Sequence, residues 1–376
     1  MSTYDAIVVG LGAMGSATLY QLATRGRRAL GIDQFPLGHT FGSSHGLHRL
    51  IRRSNYQAGY EPLIARAFEL WPQLEQESGR NILNLIGEVT LGGPFEENFR
   101  RHFQGDLERE GRRELLDEAA LAERFPGFRL YEGMLATYEQ QAGFLRPEVA
   151  IAAQLELAER HGAEIHRDEH VRGWEADGSG VAVHTSAGSY HAERLIVTAG
   201  PFSAELLGNL GLPLQVVRIV NVHFQPERPE LWTAENGAPD FILSVPEGQF
   251  YGMPSIEGAG VKIGRHDNGE PTTARTIRRE IDQTERDYLR NVLDRYMPGA
   301  SGPISADLTC MYTMTPDEYY VVERHPEQPQ VAYGAGFSGT GFKYSCVIGE
   351  ILADLAIEGE TRFDISIFSS ARFAAG

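Results

Sequence analysis

Residues 10–15 read Gly-Leu-Gly-Ala-Met-Gly, and no other stretch of this 376-residue chain restricts its fold so strongly. The pattern G-x-G-x-x-G carries weight only between a strand and a helix, and both are expected here. Ala6-Ile7-Val8-Val9 is a short apolar run, as in a strand buried on both faces. Residues 13–25 have helical spacing, with Met14, Ala17, Leu19 and Leu22 on one broad face and Gly26 as the stop. Gly10 then allows the tight turn, Gly12 admits a pyrophosphate to the backbone, and Gly15 lets helix and sheet pack closely. The unpaired N–H groups at the helix start face the phosphates. A second strand over 28–32 ends at Asp33, 18 residues past Gly15, where a carboxylate can accept from a ribose 2′-OH. A dinucleotide-binding α/β unit is expected. The motif alone does not separate NAD from FAD.

The rest of the chain has two textures. Helical stretches are expected over 61–78, 115–124 and 148–161, and residues 163–199 alternate as a β-meander whose last run, Leu195-Ile196-Val197, returns to the first sheet. Residues 214–325 are β-rich, with strands near 216–224, 241–245 and 260–264 and one helix over 276–296. Residues 331–355 read strand, glycine loop, helix. The expected fold class is mixed α/β, a Rossmann-like domain with an inserted β-rich domain. The nucleotide-binding domain is assigned to 1–80, 146–213 and 326–376, and the inserted substrate domain to 81–145 and 214–325.

Composition narrows the function classes. A net charge of −17 argues against nucleic acid and anionic membranes as partners, since both need clustered positive charge. Basic residues that converge on a pocket would be a local exception. Two cysteines, Cys310 and Cys346, are too few for a disulfide framework and point to a reducing compartment. A strand starting near Tyr4 leaves no room for a signal peptide, and no apolar run approaches a membrane span. A cytoplasmic protein is expected.

Three further stretches carry chemistry. The loop Gly42-Ser43-Ser44-His45-Gly46-Leu47-His48-Arg49-Leu50-Ile51-Arg52 sets two arginines three residues apart, one helical turn if the segment is helical. They serve either a pocket or a solvated face. His39, His45 and His48 lack an acidic or cysteine partner at ligand spacing, so no metal is expected. Cys310 lies in a strand-like run, where a lone cysteine is more often a small core residue than a reactive one. Gly334, Gly336, Gly339 and Gly341 crowd eight residues before a helix, where N–H groups can stabilise negative charge.

With these stretches in view, the chain resembles the monomeric sarcosine oxidase and N-methyltryptophan oxidase family, within the D-amino-acid-oxidase-like flavoproteins. The likeness runs from the glycine motif to Phe363-Asp364-Ile365-Ser366-Ile367-Phe368. It rests on five islands in order: the 42–52 loop, Phe250-Tyr251-Gly252-Met253-Pro254, Val261-Lys262-Ile263-Gly264-x-His266, Cys310-Met311-Tyr312-Thr313, and Gly336-Phe337-Ser338-Gly339-x-Gly341-Phe342-Lys343. The resemblance implies FAD, attached covalently through a thioether from Cys310 to the flavin 8-methyl carbon. It implies cofactor contacts from Gly10, Gly12, Gly15, Asp33, Ser43, Arg49, Val171, Gly339, Gly341, Phe342 and Lys343. Arg52, Lys343 and Tyr312 are implied to bind substrate, and Lys262, Arg49, His266 and Tyr251 to act in catalysis. The implied reaction oxidises a secondary amine of an amino acid by hydride transfer to flavin N5. Imine hydrolysis and reduction of O2 to hydrogen peroxide follow, and a monomer is implied. Ser44, Leu47-His48 and Asn55-Tyr56-Gln57 depart from the family pattern near the substrate, which leaves the amine open. A flavin dehydrogenase with another acceptor and an NAD-dependent dehydrogenase are the enzyme alternatives. A non-catalytic nucleotide sensor would not need Arg52, Lys262 and Lys343.

Overall fold

A computed structural model describes residues 4–54, 57–93, 113–178 and 180–374. The opening forms strand Tyr4–Val9, helix Ala13–Thr24 and strand Ala29–Ile32. Gly10 sits at φ +89°, a conformation costly for any side chain. A Cβ at Gly15 would lie 1.7 Å from the Gly10 carbonyl oxygen, so the turn and the helix close on each other only with glycine at 15.

Strand Tyr4–Val9 pairs in parallel with Ala29–Ile32 on one side and with the C-terminal half of Ser189–Val197 on the other. Glu164–His166 and Val331–Ala335 extend the parallel sheet. The 163–199 meander supplies antiparallel strands Val171–Ala176 and Val181–Thr185. Val321–Arg324 adds antiparallel to Val331–Ala335, so this strand belongs to the first sheet. Helices Ala13–Thr24, Glu61–Ser78, Pro147–Arg160 and Ser345–Ile357 cover one face and share one apolar core with it. Cys346 is part of that core.

The second sheet has nine strands among the described residues. Glu88–Gly92, Glu114–Leu116 and Leu135–Glu139 come from before residue 145; the rest come from Gln215–Phe224 through Ile304–Met314. One face is apolar: Val89, Leu91, Val222, Phe224, Phe241, Leu243, Phe250, Val261 and Ile263 pack with Leu289, Val292, Leu293 and Tyr296 of helix Gln283–Tyr296. Each such burial is worth roughly 1.5–3 kcal/mol. A one-residue slip would turn all of them outward, so register is firmly set. A small sheet of Arg49–Ile51, Leu83–Leu85 and Gly143–Leu145 lies apart from both.

Three local expectations are corrected. Helix 276–296 begins only at Gln283, where Asp282 and Glu285 form a capping box. Upstream, the carbonyls of Arg278 and Glu280 accept from the Arg218 guanidinium, so they are not helical acceptors. Stretch 115–124 divides into strand Glu114–Leu116 and helix Glu118–Arg124, with Asp117 accepting from Ala120 N as the cap. Arg49 opens a strand, so Arg49 and Arg52 are not one helical turn apart.

Candidate active site

The glycine turn forms the floor of a cavity of about 410 Å³ at the carboxyl ends of the parallel strands, within the size range of small-molecule sites. Gly10, Gly12, Asp33, Ser43, Arg49, Val171, Cys310, Gly339, Gly341 and Phe342 all line it, whereas Gly15 lies beneath the turn and Lys343 is not among the lining residues. Asp33 also holds the turn: its Oδ2 accepts from Leu11 N at 2.6 Å and its Oδ1 from Phe35 N at 2.9 Å. Ser44, one of the departures from the family pattern, accepts from Ala13 N at 3.1 Å at the helix start. A helix start, a turn no side chain could occupy and a cavity beside them fit a bound dinucleotide.

Loop 42–48 is tied down by its own arginine. Arg49 donates to the carbonyls of His45 at 2.6 Å, His48 at 3.1 Å and Ser43 at 3.2 Å. His45 Nε2 bonds to Thr309 O at 2.9 Å, which joins the loop to the strand that carries Cys310. Cys310 Sγ lies 3.7 Å from Ser43 O on the cavity wall. Burial, and then Arg49, pushes His45 down to about 4, so its imidazole is neutral. His39, His45 and His48 do not converge, and no group of three or more potential metal ligands occurs among the described residues.

Behind the cavity lies the polar face of the second sheet. Because Val261 and Ile263 belong to the apolar face, Lys262 turns to the other, beside its register partners Met253 and His223. Thr137, Thr90, Ile242, Tyr251, Gly264 and Asn221 form the adjacent row across six strands. Tyr251 donates its hydroxyl to Asn221 Oδ1 at 2.8 Å, reaching across Gly264. A Cβ at Gly264 would meet Asn221 Oδ1 at 2.6 Å, so this bond needs glycine there. Tyr312 donates to the Tyr251 hydroxyl at 3.3 Å, and the His266 ring lies 5.6 Å from that of Tyr312.

The cations here are buried. Lys262 Nζ donates to His48 O at 3.2 Å; burial, and then Arg49, lowers it to about 7. Lys343 sits in the short turn Gly341–Tyr344, whose carbonyl at 343 accepts from Trp71 Nε1 at 3.0 Å. Its Nζ donates to Thr340 O at 3.2 Å, and burial, then Arg52, lowers it to about 7. Burial, then Lys343 and Arg52, takes His266 to about 4. These shifts place Lys343, Arg52 and His266 within one another's field. The structure thus groups Arg49, Lys262, Tyr251, Tyr312 and Cys310, and beside them Arg52, Lys343 and His266.

Sequence reading missed the acidic members. Glu139, Glu88 and Asp240 are register partners on three adjacent strands of the same face. Burial would push Glu88 up, but Arg52 and Arg113 together hold it below the usual carboxylate range. Burial, then Glu88, drives Asp240 well above that range, and both its oxygens lack a hydrogen-bond partner among the described residues. Alternation in Glu88-Val89-Thr90-Leu91 signals the face of Glu88 as it does for Lys262. Nothing in the sequence joins it to Arg52. The departure at 55–57 lies mostly outside the described residues.

Comparison with known proteins matches residues 5–355 to the family model DAO, FAD dependent oxidoreductase. Monomeric sarcosine oxidase of Streptomyces avermitilis is 39% identical, over 99% of this chain and 98% of that protein. N-methyl-L-tryptophan oxidase of Salmonella heidelberg is 34% identical, over 99% of each chain. The solved structure of NikD, an unusual amino acid oxidase essential for nikkomycin biosynthesis, superposes with a TM-score of 0.87 over 98% of each chain at 24% identity, which speaks for the fold alone. The match over nearly the whole length agrees with the glycine turn, the cavity above it and the cationic chamber behind, and the chain belongs to the DAO family of FAD-dependent oxidoreductases.

Proposed function

We propose that this protein is an oxidase of secondary amines of amino acids, N-methyl amino acids or cyclic imino acids, with O2 as acceptor. The observation that carries the proposal is the convergence of Arg49, Arg52, Lys262 and Lys343 on one buried chamber in a chain of net charge −17. FAD, when bound, would supply the two-electron chemistry that oxidation of the carbon–nitrogen bond needs. Gly10, Gly12, Asp33, Ser43, Val171, Gly339, Gly341 and Phe342 would hold it, with Gly15 closing helix and turn beneath, and Cys310 would anchor it through Sγ.

The chain's own residues divide the remaining work. Arg52 and Lys343 bind the substrate's acid group, since a guanidinium is a planar two-pronged donor and an ammonium a point charge. Tyr312, Tyr251 and His266 form the wall that orients the amine; His266, lowered to about 4, remains a neutral imidazole that repels neither lysine. Lys262 and Arg49 present preplaced positive charge where oxygen becomes negative, with no reorganisation needed at that moment. The protein works as a cytoplasmic monomer on a small molecule. Cys310 and Cys346 form no disulfide with each other, which fits a reducing setting; no helix among the described residues is long and apolar enough to cross a membrane.

The deciding experiment screens N-methylated and cyclic amino acids for peroxide in air, with anaerobic turnover on an artificial acceptor beside it. Peroxide in step with amine consumption is expected. Turnover only with the artificial acceptor would favour a dehydrogenase. Acid precipitation should leave the yellow colour in the pellet, and free FAD in the supernatant of loaded enzyme would remove Cys310 as the anchor.

A further inference from the structure

Arg52 meets a carboxylate that the protein itself supplies. Its Nη1 lies 3.3 Å and 3.5 Å from the two oxygens of Glu88. Close charge-assisted bonds fall near 2.7–2.9 Å, so this pairing is loose. The tight partner of Glu88 is Arg113, whose Nη2 reaches Oε1 at 2.8 Å, with Thr90 Oγ1 donating to the same oxygen at 3.0 Å. Arg113 also faces Glu139 at 3.3 Å, and Glu139 accepts from Arg53 N at 2.6 Å and from the Ser54 hydroxyl. Among the described residues, Arg52, Arg113, Glu88 and Glu139 thus form one buried group of opposite charges. The Glu88 side chain is 0% exposed and that of Arg52 13%, so Glu88 cannot swing into water to release its partner.

Lys343 is different. It donates to one carbonyl and lies over the Tyr344 ring, and among the described residues no carboxylate pairs with it. The two cations of the acid-binding end thus enter catalysis with unequal charge to offer. A pair of uncompensated cations would strongly favour a carboxylate and penalise a neutral group, because an unpaired buried charge is costly. An internal carboxylate on one of them weakens both effects.

We propose that Glu88 is a specificity-determining residue of the acid-binding end: by holding part of the Arg52 charge inside the protein, it lowers the preference for carboxylates and admits secondary amines whose acid end is a neutral amide or ester. The proposal rests on the assignment of Arg52 and Lys343 to that end of the substrate. Glu88 faces the chamber through the same strand alternation that turns Tyr251 and Lys262 to it. Among the described residues the cations in contact with Glu88 are Arg52 and Arg113, while Lys343 feels it only through the field, so Glu88 acts chiefly by tuning Arg52, not by touching the amine.

The test titrates the flavin-loaded enzyme with propionate and with propionamide, read from the flavin absorption, at pH 6 where Lys343 keeps its proton. Glu88→Gln keeps the shape and removes the charge. Propionate should bind about tenfold tighter, the scale of one charge-assisted hydrogen bond, and propionamide should change little. Equal shifts for both probes, or no shift for propionate, overturn the proposal. Arg113→Gln removes the tight partner of Glu88, leaves more of its charge to Arg52 and should move propionate in the opposite direction; a shift in the same direction as Glu88→Gln also overturns it. Should Glu88→Gln fail to fold, the double variant Glu88→Gln/Arg113→Gln removes one charge of each sign and must still bind propionate tighter than Arg113→Gln does. Arg52→Met separates the two levels. If it leaves propionate binding unchanged, the assignment of Arg52 to the acid end falls; if it weakens propionate while Glu88→Gln does nothing, only the role of Glu88 falls.

Discussion

The cavity above the first sheet and the chamber on the second are built on opposite principles. The cavity is made largely of backbone: turn N–H groups, glycines and the start of helix Ala13–Thr24, held by Asp33 and Ser44. Its chemistry is general, since any diphosphate answers to N–H groups at a helix start. The chamber is made of side chains from strands far apart in sequence, brought to one face by alternation, and its chemistry is a balance of buried charges. A cofactor shared across a family is held by the first kind of site. Discrimination among amines is left to the second, where one carboxylate changes what a cation can offer.

The sharpest way to break this division is Lys262→Met. It removes one preplaced cation from the chamber and leaves the cavity untouched. Losing such a stabiliser costs about 2.7–4 kcal/mol, so reoxidation by O2 should slow about 100- to 1000-fold. Anaerobic reduction by the amine should suffer far less. Rapid mixing separates the two half-reactions, and reoxidation at the wild-type rate would move the role to Arg49.

A smaller effect compares the two cations of the acid end. Lys343→Met should raise KM for an acidic substrate about 100-fold and Arg52→Ala only about tenfold, the two ends of the range for a lost charge-assisted hydrogen bond. Glu88 already holds part of the Arg52 charge, which sets the order. Steady-state kinetics check it, and the reverse order would deny that difference.

The same contrast has a pH signature. Burial and Arg52 hold Lys343 at about 7, so it carries its proton below that pH and loses it above. Affinity for a carboxylate should fall as pH rises through about 7, approaching about tenfold per unit for a single proton, while affinity for the matching amide stays level. Inhibition constants for propionate and propionamide between pH 5.5 and 8.5 read this directly.

The mildest effect concerns Asp240. Burial and Glu88 raise its folded-state value, so the folded protein holds a proton that the unfolded chain releases. Its contribution is fully present below the ordinary carboxylate value and is lost as pH rises toward the raised one. Asp240→Asn removes the titration, so the stability of the variant relative to the parent should improve with pH, by at most about 1.4 kcal/mol per unit. Urea unfolding between pH 4 and 8 measures that slope, and parallel curves for the two proteins would contradict it.

Much of the fold was legible because its signals are local. The glycine motif between an apolar run and a helix, the meander ending in Leu195-Ile196-Val197, and the terminal strand, glycine loop and helix depend on residues near one another. The start of helix Gln283–Tyr296 was misplaced because its upstream carbonyls are claimed by Arg218, 60 and more residues away. Strand Val321–Arg324 joins the first sheet through a partner that sequence texture does not reveal.

By itself the sequence determined the nucleotide turn, the two β textures and, through five short islands, the family. Those features are written in neighbouring residues, and steric limits on backbone and packing read them out locally. Only the tertiary structure decided that Lys262 is buried with its charge unpaired by any described carboxylate, that Tyr251 reaches Asn221 across Gly264, and that Arg52 meets Glu88. Each depends on strand register, which is set by the apolar face packed against helix Gln283–Tyr296. Charge behaves differently from pattern: a guanidinium has the same letter in any sequence, but what it can bind depends on which carboxylate has already been folded against it.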